Sequence, residues 1–480
     1  MASMSAWAGG IITNTNQSVL FLKNPARDAA IGLDGVYSNP AGVAFMPEGF
    51  HVAFNWQYAH QTRTITSTNP AFALGKKNNG KSTKEFEGVA DAPIIPSLQG
   101  AYNKGNWSLQ FNLSVPGGGG ACEFADGLGS FESVVGNIAA MLQPLGAQGY
   151  DMESYMKGRQ YYFGVQLGAA YKIYPNLSVY GGLRLLYGDA TYKAKINNIM
   201  VKTEGGYVGF ADYLQYSATT INNNLDLVNA GIAKYQAAGM EAPAELIAQQ
   251  VQLEKTKESL SQLQKYADGV NLLCNQDGVG IAPVIGVHYK VSNFNFAAKY
   301  EFKTQIRMKN ESTVNEASEI AAVNKFRDGE KVNEDSPALL TIGAQWKPID
   351  VVSLNLGWHH YFDKDANWYN NTQDLLRHNT NEFLAGVEWD ITPKLNVSCG
   401  GQLTRYGMDD AYMNDMSFVV NSYSIGLGFS YKVKENITLS AAYFQTNYGT
   451  YKRDNYPAEG ISDHFTRTNR VLGVGCQLDF

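Results

Sequence analysis

Strict alternation of apolar and polar residues recurs along most of this chain of 480 residues. From Phe50 to Ala59, bulky apolar or aromatic residues occupy every second position, and small or polar residues lie between them. The same pattern returns in Trp107–Val115, Phe294–Phe302 and Tyr423–Tyr431. A sustained period of two predicts a β-strand, because successive side chains of a strand point to opposite faces. Most of the chain is therefore predicted to be all-β.

Fourteen segments carry this pattern, and the connections between them have a rhythm of their own. Six connections, from Asn103–Asn106 to Lys434–Asn436, are tight and rich in the Pro, Asn and Gly that turns favour. The connections between the tight ones are long and polar. Short turns at one end, long loops at the other and an even strand number are typical of an outer-membrane β-barrel. The predicted strands lie near residues 49–66, 94–103, 106–116, 160–173, 177–196, 279–291, 294–311, 337–348, 351–366, 381–392, 395–408, 418–433, 437–452 and 466–480.

The environment of the apolar face decides the fold class, because a soluble β-sandwich also has one apolar face per strand. The predicted strands exceed the usual length of roughly five to six residues. Aromatic residues such as Trp346, Trp389 and Tyr431 lie at strand ends, as they do in the girdles at membrane interfaces. We therefore predict a transmembrane antiparallel β-barrel of 14 strands over residues 49–480, with a multi-sandwich surface protein as the alternative.

Charge and hydropathy exclude other classes of protein. The formal net charge of -6 argues against a nucleic-acid partner. No run approaches the roughly 18 apolar residues of a transmembrane helix. The start, Met1–Trp7, lacks the basic and apolar regions of a signal peptide. The barrel prediction therefore implies a bacterial outer-membrane location with the signal peptide removed.

No constellation of catalytic or metal-binding residues stands out. The sequence contains no G-x-S-x-G, P-loop or H-E-x-x-H motif. The adjacent residues His359 and His360 would point to opposite faces of a strand, and the four cysteines lack metal-ligand spacing. We therefore expect no enzyme activity, no cofactor and no metal. A phospholipase barrel, which needs only a Ser/His pair, stays as an alternative without a motif to support it.

The four cysteines fall into two groups. Cys399 and Cys476 lie on apolar rows and are predicted to face lipid as free thiols. Cys122 and Cys274 are predicted to lie in long extracellular loops, just after the third strand and just before the sixth. Exposure at the cell surface would permit a disulfide between these loops, and such a bond would close a long loop. A disulfide and two free thiols are equally compatible with the sequence.

Residues 212–272 exchange the period of two for a helical period. Gly239 and Pro243 punctuate this stretch as a helix stop and a helix start would. We predict an extracellular helical hairpin over about 212–272, packed over the barrel mouth, and weaker helices in 124–143 and 314–326. The two apolar stripes expected to be buried are Ile221, Leu225, Val228 and Ile232, and Leu246, Ile247, Val251, Leu253, Leu260 and Leu263.

The segment before the first strand carries a further signal. It contains Asn24–Ala30 and Ser38–Gly42, and the chain ends in Phe480. The Asn-Pro-Ala sequence lies about ten residues before the first of the fourteen strands. This arrangement resembles the FadL/TodX family of outer-membrane transporters for long-chain fatty acids and other hydrophobic compounds. The resemblance implies that residues 1–48 form a hatch inside the barrel. Its hatch motif would be Asn39, Pro40, Ala41 and Gly42.

The residues of this motif have a physical reading as well. Pro40 removes a backbone donor and disfavours the helical region for Asn39, and Gly42 permits close backbone approach. A plain surface turn is the alternative interpretation. The third long loop is larger than usual in the family, so ligand entry can differ.

The resemblance also implies function and partners. It implies passive transport of a hydrophobic small molecule, such as a long-chain fatty acid or similar amphiphile, by a barrel that contacts membrane lipid. The terminal strand ending in Phe480 would be recognised by the outer-membrane assembly machinery, and we expect a monomer. A FadL-like barrel that acts as a protein-secretion shuttle, or a surface adhesin, are the alternatives.

Three basic residues are candidates for holding a ligand carboxylate. An amphiphile needs an apolar pocket with few polar groups for its head. Arg27 in the hatch, and Arg184 and Lys299 on predicted lumen faces, could each pair with that head. The alternative is that they are solvated or pair with Glu301 and Glu388 of the protein.

The end of the third strand predicts an opening in the barrel wall. It reads Val115 followed by Pro116, which cannot donate to a ladder, and by four glycines, which supply no side chains. In the resembling family a kink in the third strand opens a lateral hole toward the membrane. We therefore predict a lateral opening for the ligand, with a flexible loop above an intact wall as the alternative. The residues beside the opening would be Pro116, Gly117, Gly118, Gly119 and Gly120.

Overall fold

A computed structural model describes residues 11–314 and 325–480. Fourteen antiparallel strands form one sheet, which closes because β1 (Gly49–Thr68) pairs with β14 (Ser462–Asp479) along its full length. The predicted fold class, a closed barrel of fourteen strands, is confirmed. The first ten residues of the predicted hatch, and most of the weak helical pattern in 314–326, lie outside the described residues.

The remaining strands follow one another around the barrel in chain order. The strand β7 has two parts, which are separated by residues 302–306. Three shorter strands, Gly206–Gly209, Lys331–Asn333 and Tyr451–Arg453, extend the sheet at the long-loop end. The others are β2 (Thr83–Lys104), β3 (Trp107–Phe124), β4 (Gly149–Tyr174), β5 (Leu177–Thr203), β6 (Val270–Val291), β7 (Phe294–Glu301 and Arg307–Val314), β8 (Leu339–Ile349), β9 (Val352–Tyr361), β10 (Thr380–Thr392), β11 (Leu395–Arg405), β12 (Ser422–Lys434) and β13 (Ile437–Tyr448).

The apolar side chains change faces part-way along each long strand. Near the short-turn end of β1, Phe54 points outward and is 52% exposed, while Asn55 and Gln57 are buried inside. Toward the long-loop end, Thr64 lies outside and Ile65 is fully buried inside. The barrel therefore has an apolar outer belt around a polar lumen at one end, and a polar outer surface around an apolar core at the other.

This change of face makes several strands longer than the sequence predicts. The strand β4 begins at Gly149 and β6 at Val270, about ten residues before the predicted starts. Cys122 and Cys274 therefore lie within β3 and β6, where both are buried and free. Across the sheet, Cys122 lies opposite Gly158, Gly158 lies opposite Tyr192, and Tyr192 lies opposite Cys274. Three strand spacings of roughly 4.8 Å separate them, beyond the reach of a disulfide, so the predicted bond between two loops is wrong.

Residues 11–48 occupy the lumen. Two short helices, α1 (Val19–Lys23) and α2 (Gly35–Ser38), and a 3-10 turn (Gly42–Phe45) form this segment. The hydroxyl of Ser18 accepts from the backbone N–H of Leu20 and so caps α1. Glycines on the inner wall make room for it. An ideal Cβ on Gly386 would lie 2.0 Å from Asn24 Oδ1, and one on Gly426 would lie 2.0 Å from the carbonyl oxygen of Leu22.

The longest loops carry the helices α3 (Gly129–Met141), α4 (Phe210–Ala237) and α5 (Ala244–Leu263). The helices α4 and α5 form the expected hairpin, and its base, including Leu214 and Leu260, is buried. The distal half projects from the barrel, with Ile247 45% exposed and Val251 43% exposed. Val228, further along α4, is also buried, so the prediction of buried stripes is right for residues such as Val228 and wrong for Ile247 and Val251.

None of the helices in the described ranges is both long and apolar enough to cross a membrane. Seven 3-10 segments of three to seven residues complete the described helical structure. They are Gly42–Phe45, Pro70–Leu74, Lys76–Asn78, Gln143–Leu145, Gln264–Tyr266, Asp363–Asp365 and Tyr369–Leu375.

Candidate functional site

An apolar cavity of about 170 Å³ lies at the long-loop end of the barrel. The helix α3 lines one side with Phe131 and Ile138, and Ile196 of β5 and Val270 of β6 line the other. The base of the hairpin closes it through Phe210. A cavity of roughly 150 Å³ with comparable lining holds benzene. This space therefore fits one aromatic ring or the end of an alkyl chain.

The floor of this cavity belongs to the apolar core of the barrel. Met156, Ala194 and Leu272 line the cavity and also belong to the core cluster. The same cluster contains Ile11 and Ile12, the first described residues of the hatch segment. Contiguous apolar packing thus connects the cavity to the start of the hatch.

The wall beside the start of the hatch lacks regular pairing. Pairing of β2 with β3 stops at Leu98↔Leu113 and resumes at Val89↔Glu123. Residues 90–97 and 114–122, which we call the first seam, face each other without a ladder. On its other edge β3 stays paired with β4, with register shifts between Ser114 and Gly117 and between Gly118 and Gly120.

The start of the hatch covers the first seam from inside. Thr13 forms an antiparallel bridge with Gly117. The backbone N–H of Asn14 donates to the carbonyl oxygen of Pro116 at 2.9 Å, and the N–H of Gly118 donates to that of Ile12 at 3.2 Å. The hydroxyl of Ser97 on β2 donates to the carbonyl oxygen of Gln17 at 2.7 Å. Residues 12–17 thus supply partners that the two strands do not give each other.

Two residues of this seam escaped the sequence reasoning. Pro93 and Pro96 lie in β2, opposite the part of β3 that contains Pro116. Each proline lacks the N–H that a central ladder needs. The register of β2 against β1 also shifts here, between Gln57 and Ala59. The available signal was the pattern Pro-x-x-Pro at the start of the predicted second strand, but only the position of β2 beside β3 shows what it does.

The three predicted carboxylate-binding residues all contact carboxylates of the protein. Arg27 Nε donates to Asp34 Oδ2 at 2.7 Å, and its Nη1 donates to Glu388. Arg184 and Lys299 both pair with Glu301, the lysine at 2.6 Å. The structure therefore places Arg184 and Lys299 together and Arg27 apart from them. Their role toward a ligand stays a prediction, because each is engaged within the protein.

The hatch also forms ion pairs that the sequence analysis missed. His359 on β9 lies between two carboxylates, with Nε2 3.0 Å from Asp28 of the hatch and Nδ1 3.0 Å from Glu382 of β10. Tyr361 donates to the same Glu382 at 2.7 Å. Arg184 and Lys299 both lie over the ring of Tyr37 in α2. Burial and the nearby Glu301 raise the pKa of the Tyr37 phenol.

The predicted hatch motif lies inside the lumen. Asn39 donates to the carbonyl oxygen of Ala30 at 3.0 Å and lies 2.9 Å from His288 Nδ1 of β6. Gln110 of β3 donates to the carbonyl oxygen of Pro40 at 2.8 Å, and Ser178 of β5 donates to that of Ala41 at 2.6 Å. An ideal Cβ on Gly42 would lie 2.3 Å from Asn39 Nδ2, so a side chain there would displace the Asn39 amide from its present contacts. The motif therefore connects the hatch to three strands.

The fold of this chain has counterparts among solved structures. No model of a known protein family matches, and no curated protein does. A FadL homologue from Pseudomonas aeruginosa superposes with a TM-score of 0.63 at 11% identity, over 98% of this chain and 100% of that one. The toluene transporter TodX of P. putida gives 0.56 at 11% identity, over 94% of each chain.

A third solved structure agrees with these two. The toluene transporter TbuX of Ralstonia pickettii gives a TM-score of 0.54 at 13% identity, over 97% of this chain and 99% of that one. At identities this low the likeness establishes the fold alone. The chain has the FadL/TodX type of barrel, as its sequence predicts.

Proposed function

We propose that this protein is an outer-membrane channel for the passive transport of hydrophobic small molecules. The observation that carries the proposal is the apolar cavity at the long-loop end, joined by continuous apolar packing to Ile12 of the hatch, which covers the first seam from inside. The outer apolar belt, with exposed residues such as Phe54, Leu167 and Ile425, supports a location in the membrane. Two of the structures with this fold are toluene transporters.

The proposed route runs from the cavity through the apolar core to the first seam and then sideways into the membrane. Ala92, Ile95 and Val115 fill the first seam and are buried. Residues 12–17 cover it from within, so this segment must move for a ligand to leave. With a lateral exit, an apolar ligand does not have to cross the polar lumen below, which contains buried residues such as Asn55, Gln57 and Gln166.

The ligand class follows from the size and lining of the cavity. A space of about 170 Å³ whose described lining residues carry no charge suits an aromatic ring or one end of an alkyl chain. The proposal therefore includes long-chain fatty acids and similar amphiphiles, which would place their chain end here. Lipid extraction and mass spectrometry of the purified protein test this, because a co-purifying apolar compound is expected. Protein that binds neither toluene nor palmitate would refute the proposal.

The lateral exit has its own test. Replacing Gly117–Gly120 with Thr and Val supplies side chains to the first seam and strains Gly118 and Gly120, whose φ angles are 90° and 69°. We expect uptake of palmitate to fall while the barrel still folds, which heat-modifiable electrophoretic migration would verify. Unchanged uptake in a folded variant would end the lateral route but leave hydrophobic transport standing.

The projecting hairpin favours a second candidate function. Leu227 on α4 is 72% exposed, and Ile247 and Val251 on α5 are more than 40% exposed. A protein-secretion shuttle or an adhesin would use such a surface to hold a protein. Deleting residues 222–256, distal to the buried base, separates the functions. Transport would survive this deletion, whereas binding of cargo or host surface would be lost.

A further inference from the structure

A second interruption of the barrel wall lies between β6 and β7. Pairing of these strands stops at Val284↔Glu301 and resumes at Asp277↔Lys309. Between these points one backbone hydrogen bond joins the two strands among the described residues, from Phe302 N to the carbonyl oxygen of Pro283 at 3.1 Å. We call residues 278–283 and 302–308 the second seam.

The sequence of the second seam explains its irregular pairing. Pro283 has no N–H to donate. The inward side of β6 carries Gly278 and Gly280, where an ideal Cβ would lie 2.8 Å from the carbonyl oxygen of Arg307 and 2.4 Å from that of Gln305. The two strands therefore approach each other too closely for side chains at these positions. The inward-facing residues of β7 are odd-numbered up to Glu301 and even-numbered from Thr304 onward. One extra residue in this strand therefore interrupts the alternation of its side chains.

The outer side of the second seam is apolar and strongly exposed. Val279 is 57% exposed, Ile281 is 59% exposed and Phe302 is 41% exposed, all on the outward face. These residues belong to the outer belt, at the end nearer the long loops. Unpaired backbone groups are costly where only hydrocarbon covers them, so a molecule that brings both a chain and polar oxygens would stabilise this seam.

Three cations lie immediately above these apolar residues. Arg307, Lys309 and Lys331 are exposed and outward, and Lys309 lies directly opposite Lys331 in the sheet. Like charges directly opposite each other destabilise a strand pair. In the described part of the chain, Arg307 and Lys331 have no ion pair, and Lys309 reaches only Glu311, at 3.9 Å.

One acidic residue also faces this group. Asp277 of β6 lies opposite Lys309 in the ladder but forms no ion pair with it within the described residues. Apart from the 3.9 Å contact between Lys309 and Glu311, no ion pair among the described residues neutralises these three cations at the outer end of the apolar seam.

We propose that the second seam is a binding site for an anionic lipid of the surrounding membrane. Its phosphate binds between Arg307, Lys309 and Lys331, and one acyl chain lies along Val279, Ile281 and Phe302. Ester oxygens between the head and the chain lie at the level where β6 and β7 lack a regular ladder. The proposal rests on the proposed membrane location, and it does not depend on transport.

Native mass spectrometry of the purified barrel tests this site. The protein is reconstituted with equal amounts of phosphatidylglycerol and phosphatidylcholine, and the lipid retained through delipidation is counted. Wild type is expected to retain phosphatidylglycerol in preference to phosphatidylcholine. In the variant R307Q/K309Q/K331Q the ratio of retained phosphatidylglycerol to phosphatidylcholine is expected to fall at least ten-fold. Equal retention by the variant and wild type overturns the proposal.

The matched control is K193Q. Lys193 is an exposed outward lysine that also lies opposite another lysine, Lys157, but Lys157 has Glu123 at 2.8 Å and the neighbouring strands are fully paired. This variant is expected to keep the preference for phosphatidylglycerol. A loss as large as that of the triple variant would show a general charge effect and overturn the site.

A second probe distinguishes the source of the ligand. If added palmitate displaces phosphatidylglycerol from wild type at equal concentration, the second seam serves a free carboxylate and not a membrane lipid, and the proposal is overturned. Persistence of phosphatidylglycerol supports it. Because both experiments measure retention and not uptake, a failure of the transport proposal leaves their outcome unaffected.

Discussion

The ion pairs of Arg27 make a quantitative prediction about the docking of the hatch. The guanidinium is 6% exposed and contacts Asp34, at 2.7 and 3.0 Å, and Glu388 of β10. Replacing it in R27M leaves two carboxylates without their main partner in a water-poor lumen. Removing one member of a buried ion pair typically costs about 3–5 kcal/mol. Since about 1.4 kcal/mol changes an equilibrium ten-fold, hatch opening should become roughly 100- to 4000-fold more frequent.

Amide hydrogen exchange measures this opening directly. In R27M, the amides of residues 18–38 should exchange faster by that factor, while amides of β4 and β5 should exchange at the wild-type rate. The variant R27M/D34N/E388Q removes the uncompensated charge and is expected to restore slow exchange to within about ten-fold. If R27M exchanges like wild type, or if the neutral triple variant gives no rescue, the buried ion pairs do not hold the hatch.

Two further predictions concern single side chains. In G386V the new side chain collides with Asn24, 2.0 Å from the ideal Cβ, so the conductance of small ions through the barrel should rise; in G181V, where the ideal Cβ meets nothing, it should not. Asp363 is buried in the turn after β9, and burial raises its pKa from 3.8 to about 7. The carboxyl group therefore loses its proton at a lower pH in the unfolded chain than in the folded one. The free energy of unfolding of wild type falls as pH rises from about 4 to 7. Urea unfolding should show D363N more stable than wild type at pH 8, by up to about 4 kcal/mol, and no more stable at pH 4; equal stability at pH 8 would contradict the shift.

The lipid-facing half of the fold was predictable because the outward face of every strand in this region meets the same hydrocarbon environment. Hydrocarbon requires an apolar side chain at each outward position, and the lumen accepts polar ones, so Phe50–Tyr58 and its counterparts keep a strict period of two. Beyond the belt the apolar residues move to the inner face, as at Ile65. The period persists but its phase reverses, and this reversal hides the outer ends of β4 and β6.

The candidate site was predictable only where one strand carried the signal by itself. The four glycines after Pro116 identify the β3 side of the first seam, whereas Pro93 and Pro96 matter only because β2 lies next to β3. The contact of Asp28 with His359 joins residues far apart in sequence, at 3.0 Å, and no local pattern indicates it. The error on Cys122 and Cys274 followed from the hidden strand ends.

Tethering the start of the hatch tests the central claim most directly. The side-chain amides of Asn16 and Gln57 bond each other at 2.7 and 3.1 Å, beside the first seam. In a background without the native cysteines, N16C/Q57C can be joined by a short bifunctional thiol reagent. If transport is lateral, uptake of palmitate and toluene by the cross-linked protein should fall at least ten-fold. The unreacted double variant, and each single variant treated with the reagent, should keep wild-type uptake. Undiminished uptake through the tethered barrel would contradict the account.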